Sequence, residues 1–214
     1  MRLGFNEAND RFCQGHTVMQ DLELCEKYGF DCIDIQSECL NRDLEKGIVT
    51  IEELGAWFAT HHLKMLSYNA LCFFNMKQTA EEKQAVMDEL DEIIRRCNIL
   101  GCKMIVVVPS QDMKARGLQP TRKEIREDAV AVLKEMVKKV EPHGIKLSLE
   151  FCGAPDMTIN RFEDAYAIVE AVDSPLVGVT LDQYHFYAMG SGWESLEKAD
   201  GKKIFVWHLN GTED

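Results

Sequence analysis

The sequence predicts an α/β fold of the (β/α)8 TIM-barrel type that ends after its seventh strand. Three observations carry that reading. Short apolar runs alternate with longer amphipathic ones along all 214 residues, the pattern of a βα repeat around a parallel sheet. One run, CKMIVVVPS, is nearly continuous in apolar residues, as strands covered on both faces are. Polar side chains recur where the strands end, at Asn6, Gln36, Asn69, Glu150, Asp182 and His208, and a barrel gathers its chemistry at the C-terminal ends of its strands.

Taken in order, residues 2–6 (RLGFN) read as the first strand. Residues 17–28 have helical spacing and stop at Gly29, the position where a left-handed glycine closes a helix. FDCIDIQ is the second strand, and Thr50 opens the helix TIEELGAWFATH with Glu53 completing a capping box. KMLSYN is the third strand, followed by a loop through Phe73, Phe74 and Asn75. Val86, Leu90, Ile93, Ile94 and Cys97 recur at three- and four-residue steps in the helix 79–100, closed by Gly101. CKMIVVVPS is the fourth strand, and the helix 121–140 ends before Pro142 and Gly144. IKLSLE with helix 161–172, PLVGVTLD with a short helix at 193–199, and KIFVWHLN complete the series. No linker or composition shift divides the chain, so residues 1–214 are expected to form a single domain.

A doubly wound sheet uses the same alternation, but G-x-G-x-x-G and the phosphate-cradling G-x-x-x-x-G-K-[ST] are both absent. A hydrophobic content of 46% supplies a sizeable core. The net charge of -12 opposes nucleic acid and anionic membranes, because phosphate contacts require clustered Lys and Arg. Eight cysteines sit inside apolar periodic segments with no C-x-x-C pair, the usage of reduced buried thiols in a cytoplasmic protein. No apolar run approaches the roughly 18 residues of a membrane span.

Glu150, Asp182 and His208 end three successive strands. Two hard oxygens and an imidazole suit one divalent ion, Mn, Zn, Co or Mg. His185, three residues past Asp182, is assigned to a substrate hydroxyl rather than to the metal. His61 and His62 fall at a helix end near the opposite mouth, where compensation of the helix dipole accounts for them. Phe73, Phe74, Phe186 and Tyr187 are candidates either to pack a ligand ring or to anchor loops at the rim. No Arg or Lys stands at a strand C-terminus, so a hydroxyl-rich, uncharged ligand is expected rather than a sugar phosphate.

The segments LSLEFCG, LDQYHFYAMGS, ESLEKADGKKIF and HLNGTED, with the opening GFNEAND and DLELCEKYGFDCIDI, resemble the sugar isomerase/epimerase family of xylose-isomerase-like barrels, and within it the inosose (2-keto-myo-inositol) isomerases of inositol catabolism. The resemblance implies a mononuclear metal held by Glu150, Asp182, His208 and a further glutamate from an eighth strand. It implies a small polyol ketone as substrate, with a proton moved between adjacent carbons through a cis-enediolate. Glu150 would be ligand and proton carrier, and His185, Asn6 and Asn69 would contact substrate. Related epimerase or inosose dehydratase chemistry shares the enediolate, and an inactive ligand-binding remnant is the non-enzyme alternative. The eighth strand and final helix that the family carries do not follow His208, and Glu213 and Asp214 are no obvious replacement for the missing ligand. A barrel so truncated has open edges through which copies could associate as a homo-oligomer.

Overall fold

A computed structural model describes residues 2–9, 13 and 15–210. Glu213 and Asp214 lie outside the described residues. The strands are β1 (Gly4–Asn6), β2 (Cys32–Gln36), β3 (Lys64–Cys72), β4 (Met104–Val108), β5 (Lys146–Glu150), β6 (Val177–Asp182) and β7 (Ile204–His208). They form one seven-stranded sheet in the order of the chain. Contacts divide the chain into two units, one of Met1–Ala70 with Asp91–Ile105 and one of Leu71–Leu90 with Val106–Asp214.

In the first unit, β1 pairs with β2 and β2 with β3, both parallel. α1 (Val18–Tyr28) starts at a capping box of Thr17 and Gln20, and Gly29 closes it at φ 74°. There a Cβ would add strain that glycine avoids. α3 (Ile51–Thr60) carries the expected box of Thr50 and Glu53. Between them lies α2 (Ser37–Glu45), a helix that the spacing does not predict. Its Asp43 is fully buried and accepts the amide of Val18 at 2.8 Å. Arg42 contacts the same carboxylate at 2.9 Å. Leu22, Ile33, Ile35, Leu40, Leu54 and Leu63 are fully buried, each contributing roughly 1.5–3 kcal/mol relative to exposure.

In the second unit, β5, β6 and β7 are consecutive parallel strands. Every residue of β6 is buried, as are the last four of β5. α5 (Arg122–Val140) and α6 (Phe162–Val172) follow β4 and β5. A hydroxyl pair, Ser148 and Thr180 at 2.7 Å, is buried between β5 and β6. After β6 come α7 (Gln183–Ala188), unannounced by the pattern, and α8 (Trp193–Glu197).

The loops of this unit are bonded to one another. Asn75, fully buried after β3, accepts the amide of Ser110 at 2.7 Å and, through its carbonyl, the Ser110 hydroxyl. Thr158, after β5, donates its backbone N–H to the Ser110 carbonyl at 2.9 Å. Gln111 and Met157 form an isolated antiparallel bridge. Among the described residues no helix is long and apolar enough to cross a membrane.

Candidate metal centre

Strand register assembles the centre. Asp182 is the last residue of β6 and lies beside His208, the last of β7. Glu150, the last of β5, lies beside Thr180 on β6. Because side chains alternate faces along a strand, Thr180 and Asp182 share a face, and Glu150 and His208 join them. All three predicted ligands are buried, at 7%, 5% and 7% exposure for Glu150, Asp182 and His208.

The Nδ1 atom of His208 is 3.1 Å from Oε1 of Glu150 and 3.9 Å from Oδ2 of Asp182. A carboxylate only accepts, so the shorter contact is a hydrogen bond when Nδ1 carries the proton. These distances bracket the separation of about 3.3 Å between donors around a tetrahedral ion with bonds of about 2.0–2.1 Å. The fit extends to His185. One ligand atom each of Glu150, Asp182 and His185 lie within 4.8 Å of one another. The Nδ1 atom of His185 is buried without a hydrogen-bond partner, and a buried polar atom left so is costly unless something else engages it. The sequence assigns His185 to a substrate hydroxyl. In the fold it stands close enough to the two carboxylates to serve as a donor as well.

Local structure fixes each group. Asp182 caps α7, its Oδ1 accepting the His185 amide at 2.8 Å. Asn210 donates to its Oδ2 at 2.9 Å and accepts the Tyr184 amide at 2.9 Å. Asn210 is a supporting residue that the sequence analysis did not single out, although it stands two positions after His208. Gly153 is the other device. A Cβ there would sit 2.7 Å from Cα and 2.8 Å from the carbonyl oxygen of His185, so only glycine lets the loop after β5 approach α7 this closely.

Burial raises the pKa of the Cys152 thiol well above its ordinary value, and the charges of Glu150, Cys72 and Asp182 add to the effect. Of the four aromatic candidates, Phe74 and Phe186 are rim anchors at 1% and 5% exposure, while Phe73 and Tyr187 are 40% and 74% exposed. Phe186 packs 6.0 Å from Phe162 and 4.9 Å from Trp193.

The remaining predicted contacts belong to the first unit. Asn6 ends β1, and its Oδ1 accepts from Asn69 Nδ2 at 3.4 Å and from the Ala8 amide at 3.0 Å. Asn69 lies within β3 rather than at its end. Gln36 ends β2, and its amide donates to the fully buried Glu7 at 2.7 Å. At the C-terminal end of α3, His61 stacks on Trp57 with ring centroids 3.9 Å apart and brings its Nδ1 to 2.7 Å from the Trp57 carbonyl, and His62 is exposed.

Comparison with known proteins places this arrangement. The family model described as the xylose isomerase-like TIM barrel matches residues 22–214. The chain is 41% identical over 214 residues to inosose isomerase of Bacillus subtilis, and 40% identical over 214 residues to that of Bacillus velezensis. In both cases the match spans all of this chain and 74% of the relative. A crystal structure of the IolI protein with a bound zinc atom superposes with a TM-score of 0.92 at 41% identity, again covering the whole of this chain and 74% of that one. A D-psicose 3-epimerase, at 15% identity and a TM-score of 0.77, shares the fold. The relatives near 40% identity are isomerases, and with the family model and the barrel superposition they establish that the chain belongs to the xylose isomerase-like TIM-barrel family, as an enzyme of the isomerase class.

Proposed function

We propose that the protein is a metal-dependent isomerase of a keto-cyclitol, 2-keto-myo-inositol or a close relative, working by proton transfer between adjacent carbons through a cis-enediolate. The observation that carries this reading is the convergence of buried Glu150, Asp182 and His208 with the half-buried His185. Glu150, Asp182 and His208 would hold one divalent ion, with zinc favoured by the mixed oxygen and nitrogen donors. Such an ion supplies Lewis acidity, which acidifies the C–H beside a ketone and stabilises the oxyanion of an enediolate.

Glu150 takes the proton from the hydroxyl-bearing carbon next to the ketone. The C–H electron pair forms the C=C bond, and the carbonyl oxygen takes up the negative charge. A proton passing between the two oxygens then allows reprotonation at the former carbonyl carbon, and the ketone has moved by one position. His185 steadies a substrate hydroxyl through its unspent ring nitrogen, and Asn6 and Asn69 supply amide contacts to further hydroxyls. The close approach of Gly153 fixes the height of His185 above the carboxylates. The chain is read as one barrel domain, and its cysteines, set in apolar segments with no C-x-x-C pair, support a reducing cytoplasmic setting.

The test is to load the full chain with Zn2+, Mn2+, Co2+ or Mg2+ in turn, supply 2-keto-myo-inositol in D2O, and follow the products by NMR. Isomerisation with solvent deuterium at the reacting carbon is the expected result. Product one water lighter would mean dehydration instead. Glu150→Gln should abolish turnover while leaving the melting curve in place, and retained turnover would remove Glu150 from proton transfer.

A further inference from the structure

The second unit holds another recess, chemically unlike the metal centre. Phe73, Lys77, Ser110, Gln111 and Arg116 line a cavity of about 260 Å³, built by the loops after β3 and β4. The volume falls below the roughly 300–1,000 Å³ of sites for drug-sized ligands and suits a compact one.

Its charge balance is positive. Glu82 accepts Arg116 Nη2 on Oε1 at 2.8 Å. The other oxygen of Glu82 accepts the amides of Gln78 and Thr79 at 2.6 and 3.3 Å. This carboxylate is therefore spent on the start of α4 (Ala80–Leu100) and on one nitrogen of a guanidinium. The Nε and Nη1 groups of Arg116 stay available, and a guanidinium steadied on one side presents its remaining donors in a fixed fork. Lys77, half-buried, makes no ion pair among the described residues. Two cations against one carboxylate leave one positive charge in surplus. The nearby carboxylates of Asp112 and Asp128 do not line the cavity, and that of Asp128 is engaged by the Met76 amide at 2.6 Å.

The frame is rigid and strained. Ser110 donates both its N–H and its hydroxyl to Asn75, so the floor is fixed and leaves ligand binding to the cations. Phe73, Met76 and Asp112 have φ of 59°, 58° and 55°. The one other non-glycine with positive φ among the described residues, Asp173, merely closes α6. Left-handed backbone at such residues persists where the surroundings over-determine it, and it clusters at ligand sites. The cations come from the loops beyond the strand ends, apart from the strand-end residues that point to an uncharged substrate.

We propose that this recess binds a compact anion, a phosphate or carboxylate group, held by Lys77 and the unspent edge of Arg116 beneath the half-exposed ring of Phe73. The test titrates inorganic phosphate and malonate separately into the full chain by calorimetry. Saturable binding of either supports the site, and which of the two binds identifies the group. Lys77→Gln and Arg116→Gln should each weaken that binding about tenfold or more, the scale of one charge-assisted contact. Lys77→Glu should abolish it, with circular dichroism showing all three variants folded. No saturable binding of either anion, or binding unaffected by these substitutions, overturns the proposal. Because the readout is binding and not turnover, its failure leaves the isomerase reading standing.

Discussion

His208 and Glu150 are joined by a contact of 3.1 Å between Nδ1 and Oε1, although β6 separates their strands in the sheet. A divalent ion can take that nitrogen only where it carries no proton, which a neutral imidazole allows by moving its proton to the other ring nitrogen. Zinc binding should weaken on acidification, with protons released there, because protons and metal compete for the same imidazole and carboxylates. His208→Gln should lower zinc affinity by at least about 10–100-fold, the range seen even for supporting residues of metal sites. Calorimetry in buffers of different ionisation enthalpy measures both effects, and an unchanged affinity would show that His208 is no donor.

Asp182 can be probed in its two roles separately. Asp182→Asn keeps an oxygen for the His185 amide but lacks the charge, so metal affinity should fall while the melting temperature stays near that of the parent. Asp182→Ala loses the helix cap as well, at about 1 kcal/mol. Thermal melts without metal should rank the alanine variant below the asparagine one, and equal melts would deny the cap any energetic weight.

Gly153→Ala forces a methyl against the His185 backbone, 2.7 Å from its Cα. Overpacking of this kind costs about 1–3 kcal/mol. The loss of turnover should exceed the loss of stability, since the strain falls on a residue above the centre. Parallel denaturant unfolding and rate measurements would reveal it, and a variant with parental kinetics would sever Gly153 from the site.

Glu92 provides a stability marker far from the chemistry in sequence. Its hydrogen bond to Arg95 foremost, and then that to Arg96, outweigh burial and lower its pKa from 4.5 to about 2. A carboxyl depressed in the folded state stabilises the protein above its unfolded pKa, and that contribution is lost as pH falls through the folded one. Stability should therefore decline between about pH 4.5 and 2, more steeply in the parent than in Glu92→Gln. The side chain is 43% exposed, so solvent screening keeps the effect small. Acid titrations of the melting temperature that coincide for the two proteins would contradict it.

Much of this molecule is legible before folding because its signals are local. Thr50 with Glu53 announces its helix by a capping box that the structure contains. Glu150, Asp182 and His208 are readable because a strand that ends on a donor points it at the mouth of a barrel. What escapes is written in distant partners. The buried face of α2 includes Asp43, a charge that breaks the apolar rhythm and is explained by the Val18 amide it accepts, 25 positions away, together with Arg42 beside it. α7 spans six residues, too few for a period, and its cap is the residue read as a metal ligand. The union of Asn75 with Ser110 across 35 residues has no local trace, and neither does the recess it supports.

That union also bears on how a ligand can be admitted. The loops after β3, β4 and β5 are cross-bonded through Asn75, Ser110 and Thr158, so none can swing outward alone without exposing buried, already satisfied polar groups. They act as one preassembled plate, and their conformational entropy is surrendered when the chain folds rather than when a substrate arrives. Binding along this arc is spared an ordering cost.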